Sequence, residues 1–450
     1  MPLSQRPYHG PMDRPMSDLL ASLRSRDPNT LAQLVTEHAR QLYRGARSIG
    51  FSEGEAEDLT QDVFVTFLET LDRFEGRAQV GTWLFGILYR KAQERRRARS
   101  ITGQSLKVGR MEFLDGTEVA PKNGTLAALQ RDRISARLIA NFGFTHVQRS
   151  VDGAVYGLDR PATNVTILVA RPTQGVFQVN GWGELNIELA YGAVTHQFGD
   201  ARDARQWRLF GAEYYDGRDG VVKAENRSVA ARQADHGQVR VATFGGNYLR
   251  AITREHGTVD VLVWGAVQLG AWGQLAHRAS AFAAEAGWQP HTILAPWIRG
   301  GLNYGSGDGN SNDSTHGTFF PLLPTPRQYA RVPFFNMMNT VDGFGELILR
   351  PTRLMTMRSD VHTLRLADAH DLWYQGGGAY QPTTFGYVGQ PTSGSRHLAT
   401  LVDASADVTI TPRVTVTGYY GYAAGGPAFS ALYPTGHHAA LGYVECLVRF

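Results

Sequence analysis

The pattern of apolar and polar positions changes once along the chain, near residue 100. Before that point the apolar residues keep a helical period. Leu31, Leu34, Val35, Leu42 and Ile49 follow a turn at Asp27-Pro28, and Leu59, Val63, Phe67 and Leu71 form a single stripe. Ser52 with Glu55 three residues on reads as a capping box, and the acidic first turns behind it suit the helix dipole. This second helix leaves Asp58, Gln61, Asp62 and Glu69 on its polar faces. A third, "TWLFGILYRKAQERRRAR", carries Trp83, Leu84, Phe85, Leu88 and Tyr89 in its first half and Arg90, Lys91, Arg95, Arg96, Arg97 and Arg99 in its second.

From Val108 onward the period is two, broken by Gly, Pro, Asn and Asp. "RSDVHTLRL" sets Arg358, Asp360 and His362 against Met357, Ser359 and Val361. "LVDASADVTI" sets Asp403, Ser405, Asp407 and Thr409 against apolar neighbours, and "QVRVATFGG" sets Gln238 and Arg240 against Val239 and Val241. Many such segments, abundant aromatics and a single cysteine, Cys446, favour a barrel whose apolar face meets lipid. If apolar positions face lipid, Arg240, Arg299, Glu346, Arg358, Asp360 and Asp403 line the pore. Their mixed signs suit discrimination as well as attraction.

The alternation fixes the fold class expected: a small all-α N-terminal module of three to four helices, then a large antiparallel transmembrane β-barrel. Charge follows the same division. Residues 1–110 hold 17 Lys+Arg against 13 Asp+Glu, and the remainder holds 28 of each. The chain's net +4 therefore lies in the helical quarter, where basic residues beside aromatics suit phosphates and unpaired bases. No run of about 18 apolar residues marks a membrane helix, and "MPLSQRPYHGPMDRPMSDLL" has no apolar core of a signal peptide. "GDGNSNDSTHGTF" lacks the Gly and Glu of a calcium loop, since Asp313 and Phe319 stand there, and reads as a polar loop. Asp368, His370 and Asp371 read as a loop cluster. No metal or cofactor site and no nucleophile with a base emerges, so no enzyme is expected.

Two resemblances sharpen this reading. "AEDLTQDVFVTFLETLDRFEG" followed by "VGTWLFGILYRKAQERRR" resembles region 2 of extracytoplasmic-function sigma factors of the sigma-70 class, over residues 30–99. That resemblance implies core RNA polymerase contact through Asp58, Gln61 and Asp62. It also implies promoter DNA near Trp83, Tyr89, Arg90, Lys91, Arg95 and Arg96. Region 4 of that family, the helix-turn-helix that reads the −35 element, is not recognisable beyond Arg99. "YGSGDGNSNDSTHGTFFPLLPTPRQYARVPFFNMMNTVDGFGELILRP", "RSDVHTLRLADAHDLWYQGGGAY" and "GYYGYAAGGPAF" resemble the alginate-export family of outer-membrane barrels, over about residues 108–450.

The second resemblance implies passage of an anionic, alginate-like polysaccharide through a cationic pore, in contact with outer-membrane lipid. "LGYVECLVRF", with Val444, Cys446 and Val448 alternating before Phe450, resembles the terminal strand read by the barrel-assembly machinery. At about twenty or more residues per strand, residues 108–450 supply roughly 14–16 strands, against about 18 in the family, so the first strands are expected to be missing. Residues 1–29 are expected to form a disordered or short helical leader, and residues 100–107 a junction. The function expected is an alginate-export-type outer-membrane porin fused to a sigma-70 region 2 module. The alternative is a cytoplasmic sigma-factor fragment in transcription initiation, with the barrel as passenger.

Overall fold

The structure is a computed structural model. It describes residues 16–48, 51, 53–74, 79–143, 148–174, 183–324, 332 and 334–449, and the side chains of 16, 17, 20, 73 and 93–102 fall outside that description. The chain divides into two compact units, Met1–Gly103 and Gln104–Phe450.

The first unit is helical: α1 (Met16–Arg24), α2 (Pro28–Ser48), α3 (Glu53–Glu69) and α4 (Val80–Thr102). Asp27 starts α2 as a cap. Its Oδ2 accepts from the Thr30 backbone N–H at 2.9 Å, with Pro28 in the first helical turn. The predicted stripe is the core: Leu59, Val63, Phe67 and Leu71 are buried with Leu34, Leu42, Leu84, Ile87 and Leu88. Val35, expected among them, is exposed, while Ile49 and the cap Ser52 lie outside the described residues.

The second unit is one large antiparallel sheet. Its strands are β1 (Gln104–Met111), β2 (Val151–Asp159), β3 (Thr163–Pro172), β4 (Ile187–Gly199), β5 (Asp203–Asp216), β6 (Val239–Arg254), β7 (Gly257–Trp272), β8 (Leu275–Pro290), β9 (Trp297–Gly305), β10 (Thr315–His316), β11 (Thr340–Thr352), β12 (Met355–Leu366), β13 (Trp373–Gln375), β14 (Val388–Gln390), β15 (His397–Thr411), β16 (Val414–Gly425) and β17 (His438–Val448). Among the described residues the sheet has 15 strands. Each long strand pairs with its sequence neighbours, β10 pairs only with β8, and β13 pairs with β14 in a separate ribbon. Among the described residues no ladder joins β1 to β17. Among the described residues three short helices lie in connections: α5 (Gly124–Leu129), capped by Asn123, α6 (Val229–Ala234) and α7 (Pro427–Leu432).

Most connections alternate in length. Those after β2, β4, β6, β11 and β15 are tight turns and those after β1, β3, β5, β9, β12 and β16 are long, while β7 and β8 are joined by only two residues at the loop end. One end of the sheet therefore carries short turns and the other the loops, as in outer-membrane barrels. The eight residues expected as a junction are divided between two elements. Helix α4 runs to Thr102 and β1 starts at Gln104, with only Gly103 between, at a φ of +79° that glycine adopts freely.

The two faces have opposite character. Ile167, Val169, Leu209, Phe244, Val263, Val267, Phe282, Val361 and Val402 are exposed, and Tyr420 and Tyr422 stand among them on β16. The other face buries Arg208, Asn247, Gln268, Glu285, Arg299, Asn303, Asp342 and Asp403. Apolar groups outside and polar groups inside invert a soluble sandwich and match a wall that meets lipid.

Candidate functional site: a charged and plugged inner face

The connection between β1 and β2 does not stay at the rim. Residues 112–143 fold against the inner face, where α5 continues as a wide turn over Gln130–Ile134. Two arginines from this plug reach the wall. Arg133 donates to both Glu285 carboxylate oxygens, at 2.9 and 3.0 Å, and Arg137 donates to Glu285 Oε1 at 3.0 Å and Asn303 Oδ1 at 3.2 Å. Glu285 also accepts from Arg299 at 2.8 Å, and Arg299 bonds Asp260. The guanidinium of Arg133 lies 4.4 Å over Phe344, and that of Arg137 lies 5.3 Å over Trp264. One carboxylate is thus shared by three cations, two on the plug and one on the wall.

A second tie is made by a buried cation. Arg149 donates to the carbonyls of Gly378 (2.8 Å), Ala140 (2.9 Å), Leu323 (2.7 Å) and Pro324 (3.3 Å). It binds three separated loop segments through backbone acceptors, and burial pushes its guanidinium down to about 10. Asp371 is a third anchor. Its buried carboxylate accepts from Thr318 Oγ1 (2.5 Å), Asp308 N (2.9 Å), Leu372 N (2.7 Å) and Tyr374 OH (2.7 Å), while burial raises it to about 6. The acidic cluster at 368–371 is thus a loop staple. The calcium-like spacing at Asp308 and Asn310 reflects successive side-chain turns onto the N–H groups of Asn310 and Asn312.

Five of the six expected pore residues lie on the inner face. Arg299, Glu346, Asp360 and Asp403 are direct partners across β9, β11, β12 and β15, so one cation and three carboxylates form a row. Arg358 lies 3.2 Å from Glu346 and 3.8 Å from the plug's Asp132, and Tyr419 donates to Asp403 at 2.8 Å. Arg240 is the exception. It points outward, largely exposed, and pairs with Glu213 at 2.5 Å. Val239 and Val241 instead turn inward and are buried.

The reason lies in depth along the strand. Near the loops the inner face of β6 packs against an apolar core, which takes Val239 and Val241 and leaves Arg240 on the outer face beside Glu213. Further down, Thr243 and Asn247 are inside and Phe244 is outside. Sequence parity also missed Arg208, Glu285 and the plug arginines. A lone charge in "AFAAEAGW" gives no parity signal, and the plug has no strand period at all.

In the helical unit, Asp58 and Gln61 are exposed and Asp62 is half-buried on α3; on α4, Tyr89 and Arg90 are exposed and Lys91 is half-buried. Trp83, expected near DNA, stacks on Phe74 at 4.4 Å and meets Phe67 edge-on at 5.8 Å, which makes it part of the helical packing. The side chains of Arg95 and Arg96 lie outside the described residues, as does Phe450; Val448 ends β17.

The profile described as Alginate export matches residues 184–439, more than half of the chain. The chain belongs to the alginate export family. The profile of Sigma-70 region 2 matches residues 34–101, so an alginate export domain follows a sigma-70 region 2 module in one chain. Neither family is one of enzymes. The chain is similar to the RNA polymerase sigma factor NccH of Alcaligenes xylosoxydans xylosoxydans, 36% identical over 75 residues, which are 17% of this chain and 40% of that protein. It is also similar to the RNA polymerase sigma factor CnrH of Cupriavidus metallidurans, 30% identical over 126 residues, which are 27% of this chain and 66% of that one. The chain thus spans less than two thirds of either relative. Among solved structures, the ferric-catecholate import receptor Fiu of E. coli K12 aligns with a TM-score of 0.28 at 10% identity, over 63% of this chain and 54% of Fiu.

Proposed function

We propose that residues 108–450 act as a passive outer-membrane conduit for an anionic polysaccharide of the uronate class, held shut by its own plug. The observation that carries this reading is the guanidinium set of the inner face, Arg208, Arg299 and Arg358, behind an apolar outer wall. A uronate polymer carries a carboxylate on each sugar, and a guanidinium offers it two parallel donors while staying charged at any working pH. Arg208 Nε and Nη1 and Arg299 Nε are buried with no hydrogen-bond partner among the described residues, so they become available to a carboxylate only once the plug has left the inner face. The carboxylates at Glu346, Asp360 and Asp403 keep such a polymer from binding too tightly to leave. The test is flux through the full chain in lipid vesicles, with the plug released by Arg133→Met and Arg137→Met: a uronate oligomer should move several-fold faster than a neutral oligosaccharide of equal length. Equal rates would sink the reading.

A second reading concerns residues 30–99 and rests on the sigma-70 region 2 match. In it, the exposed Asp58 and Gln61 on α3, with Asp62, contact the core polymerase, and α4 with Tyr89, Arg90 and Lys91 faces promoter DNA. The purified full chain should then co-elute with core RNA polymerase, and Asp58→Lys should lower that binding about tenfold or more, as for a charge reversal at an interface. Retention unchanged by the reversal would count against this contact.

A further inference from the structure

We propose that the β5–β6 connection holds a binding site for a single sugar acid, in a cavity at the loop end of the sheet. The choice of a sugar acid rests on the uronate reading above, whereas the cavity and its donors do not.

The cavity lies between two loops. Residues 217–238 leave β5 and return to β6, carrying α6, whose Ser228 cap accepts from Ala231 N at 3.3 Å. Residues 376–387, which join β13 to β14, lie beside them. Arg218 fastens the two. Its guanidinium grips both Asp216 oxygens, at 2.9 and 2.6 Å, and its Nη1 reaches the carbonyls of Gln381 (2.6 Å) and Thr384 (2.8 Å). The space enclosed is about 450 Å³ and opens to solvent, which falls within the range of small-ligand pockets. Buried Phe385 and Val239 form its floor, Lys223 and Arg232 its polar wall, and exposed Gln233 and His236 stand at its mouth.

The spare bonding capacity of this cavity is that of donors. Asp216 is already filled: its Oδ1 accepts from Arg218 N and Nε, its Oδ2 from Tyr214 OH and Arg218 Nη2. Asp235 is filled in the same way, by Lys223 Nζ and Gly237 N on Oδ1 and by Arg227 Nη2 and Gln274 N on Oδ2. A carboxylate offers about four acceptor positions, so neither has one left for a cation. Asp219, exposed at the rim, is screened by solvent. The donors are not filled. Lys223 is 5% exposed and gives two of its three N–H groups to Asp235, to O at 2.8 Å and to Oδ1 at 3.3 Å. Arg232 Nε is buried with no partner among the described residues. A buried donor without an acceptor is costly, so these atoms point to an acceptor that arrives from outside the chain.

A sugar acid matches the set. Its carboxylate takes the guanidinium and ammonium donors, its hydroxyls reach Gln233 and His236, and its C–H face covers Phe385. The long loops of outer-membrane barrels lie outside the cell, so the cavity stands at the exit of the conduit.

The test treats the full chain in detergent micelles with phenylglyoxal, which modifies arginine. Modification of Arg232 is read by peptide mass spectrometry against the exposed Arg254. Glucuronate should slow the reaction several-fold at Arg232 and leave Arg254 unchanged, while glucose at the same concentration protects neither. In calorimetric titration, Arg232→Gln should bind glucuronate about tenfold more weakly than the unaltered chain, with Arg232→Lys between them, since a charge-assisted bond is lost. Heat-modifiable migration shows that each variant is folded. No protection by glucuronate would overturn the site, as would equal protection by glucose. Equal protection by inorganic phosphate would overturn the sugar acid in favour of a bare anion. Uronate-selective flux with Arg232 unprotected would strike this site alone. Protection in a chain whose flux ignores charge would keep the site and remove the proposed cargo.

Discussion

Replacing Glu285 with alanine is expected to unplug the conduit. Its carboxylate is fully buried and is the acceptor for Arg133 and Arg137 on the plug and for Arg299 on the wall. Removing one member of a buried pair leaves the others as uncompensated charge, at about 3–5 kcal/mol. Here Arg299 keeps Asp260, whereas Arg133 and Arg137 lose the carboxylate they share and can escape only by carrying the plug away. A loss of that size moves the balance between plugged and open forms about a hundredfold or more toward open. The readout is conductance of the full chain in planar bilayers, together with heat-modifiable migration to show that the sheet is folded. Unchanged conductance in folded protein would place Glu285 in the wall's own ion pairing with no hold on the plug. Arg133→Met with Arg137→Met should open the same path without touching the wall.

The two halves of the chain differ in how far residue order reveals them. In the helices, burial follows a period that local spacing displays, and Leu59, Val63, Phe67 and Leu71 are buried together as a stripe. In the sheet, the period of two reveals strands but needs a rule for which face meets lipid. The rule holds at mid-strand, where Arg299, Glu346 and Asp403 face in. It fails at the loop rim, where Val239 and Val241 pack against the folded-in loops and Arg240 faces out. The plug was not legible, because its position depends on pairs far apart in the chain. Arg133 and Glu285 are 152 residues apart, and no local pattern marks either as the other's partner. Sequence reading likewise started the sheet at Val108. The strand begins at Gln104 because pairing with β2 reaches Leu158, a contact that lies outside the segment itself.

The plugged form should also be favoured by acid, through Asp115. This carboxyl is fully buried at the plug's entry. Its Oδ1 accepts from the N–H groups of Leu138 (3.1 Å) and Ile139 (2.9 Å), which pins the turn where Ala136 holds a φ of +63°. Burial raises the group to about 6, opposed by Arg208, whose guanidinium lies 3.9 Å from Oδ2, and assisted by the nearby Glu118. A carboxyl released with the plug would titrate at its ordinary value near 4. Between those values the plugged form keeps a proton that the open form loses, so its stability falls as pH rises. The contribution is full below about pH 4 and gone above about pH 6, and two pKa units correspond to about 3 kcal/mol. Conductance should therefore be low at pH 4 and rise on the way to pH 7. Asp115→Asn keeps an oxygen for both N–H groups and cannot ionise, so its conductance should stay near the acid level throughout. A flat wild-type profile, or an Asp115→Asn profile as steep as wild type, would show that another group governs the plug.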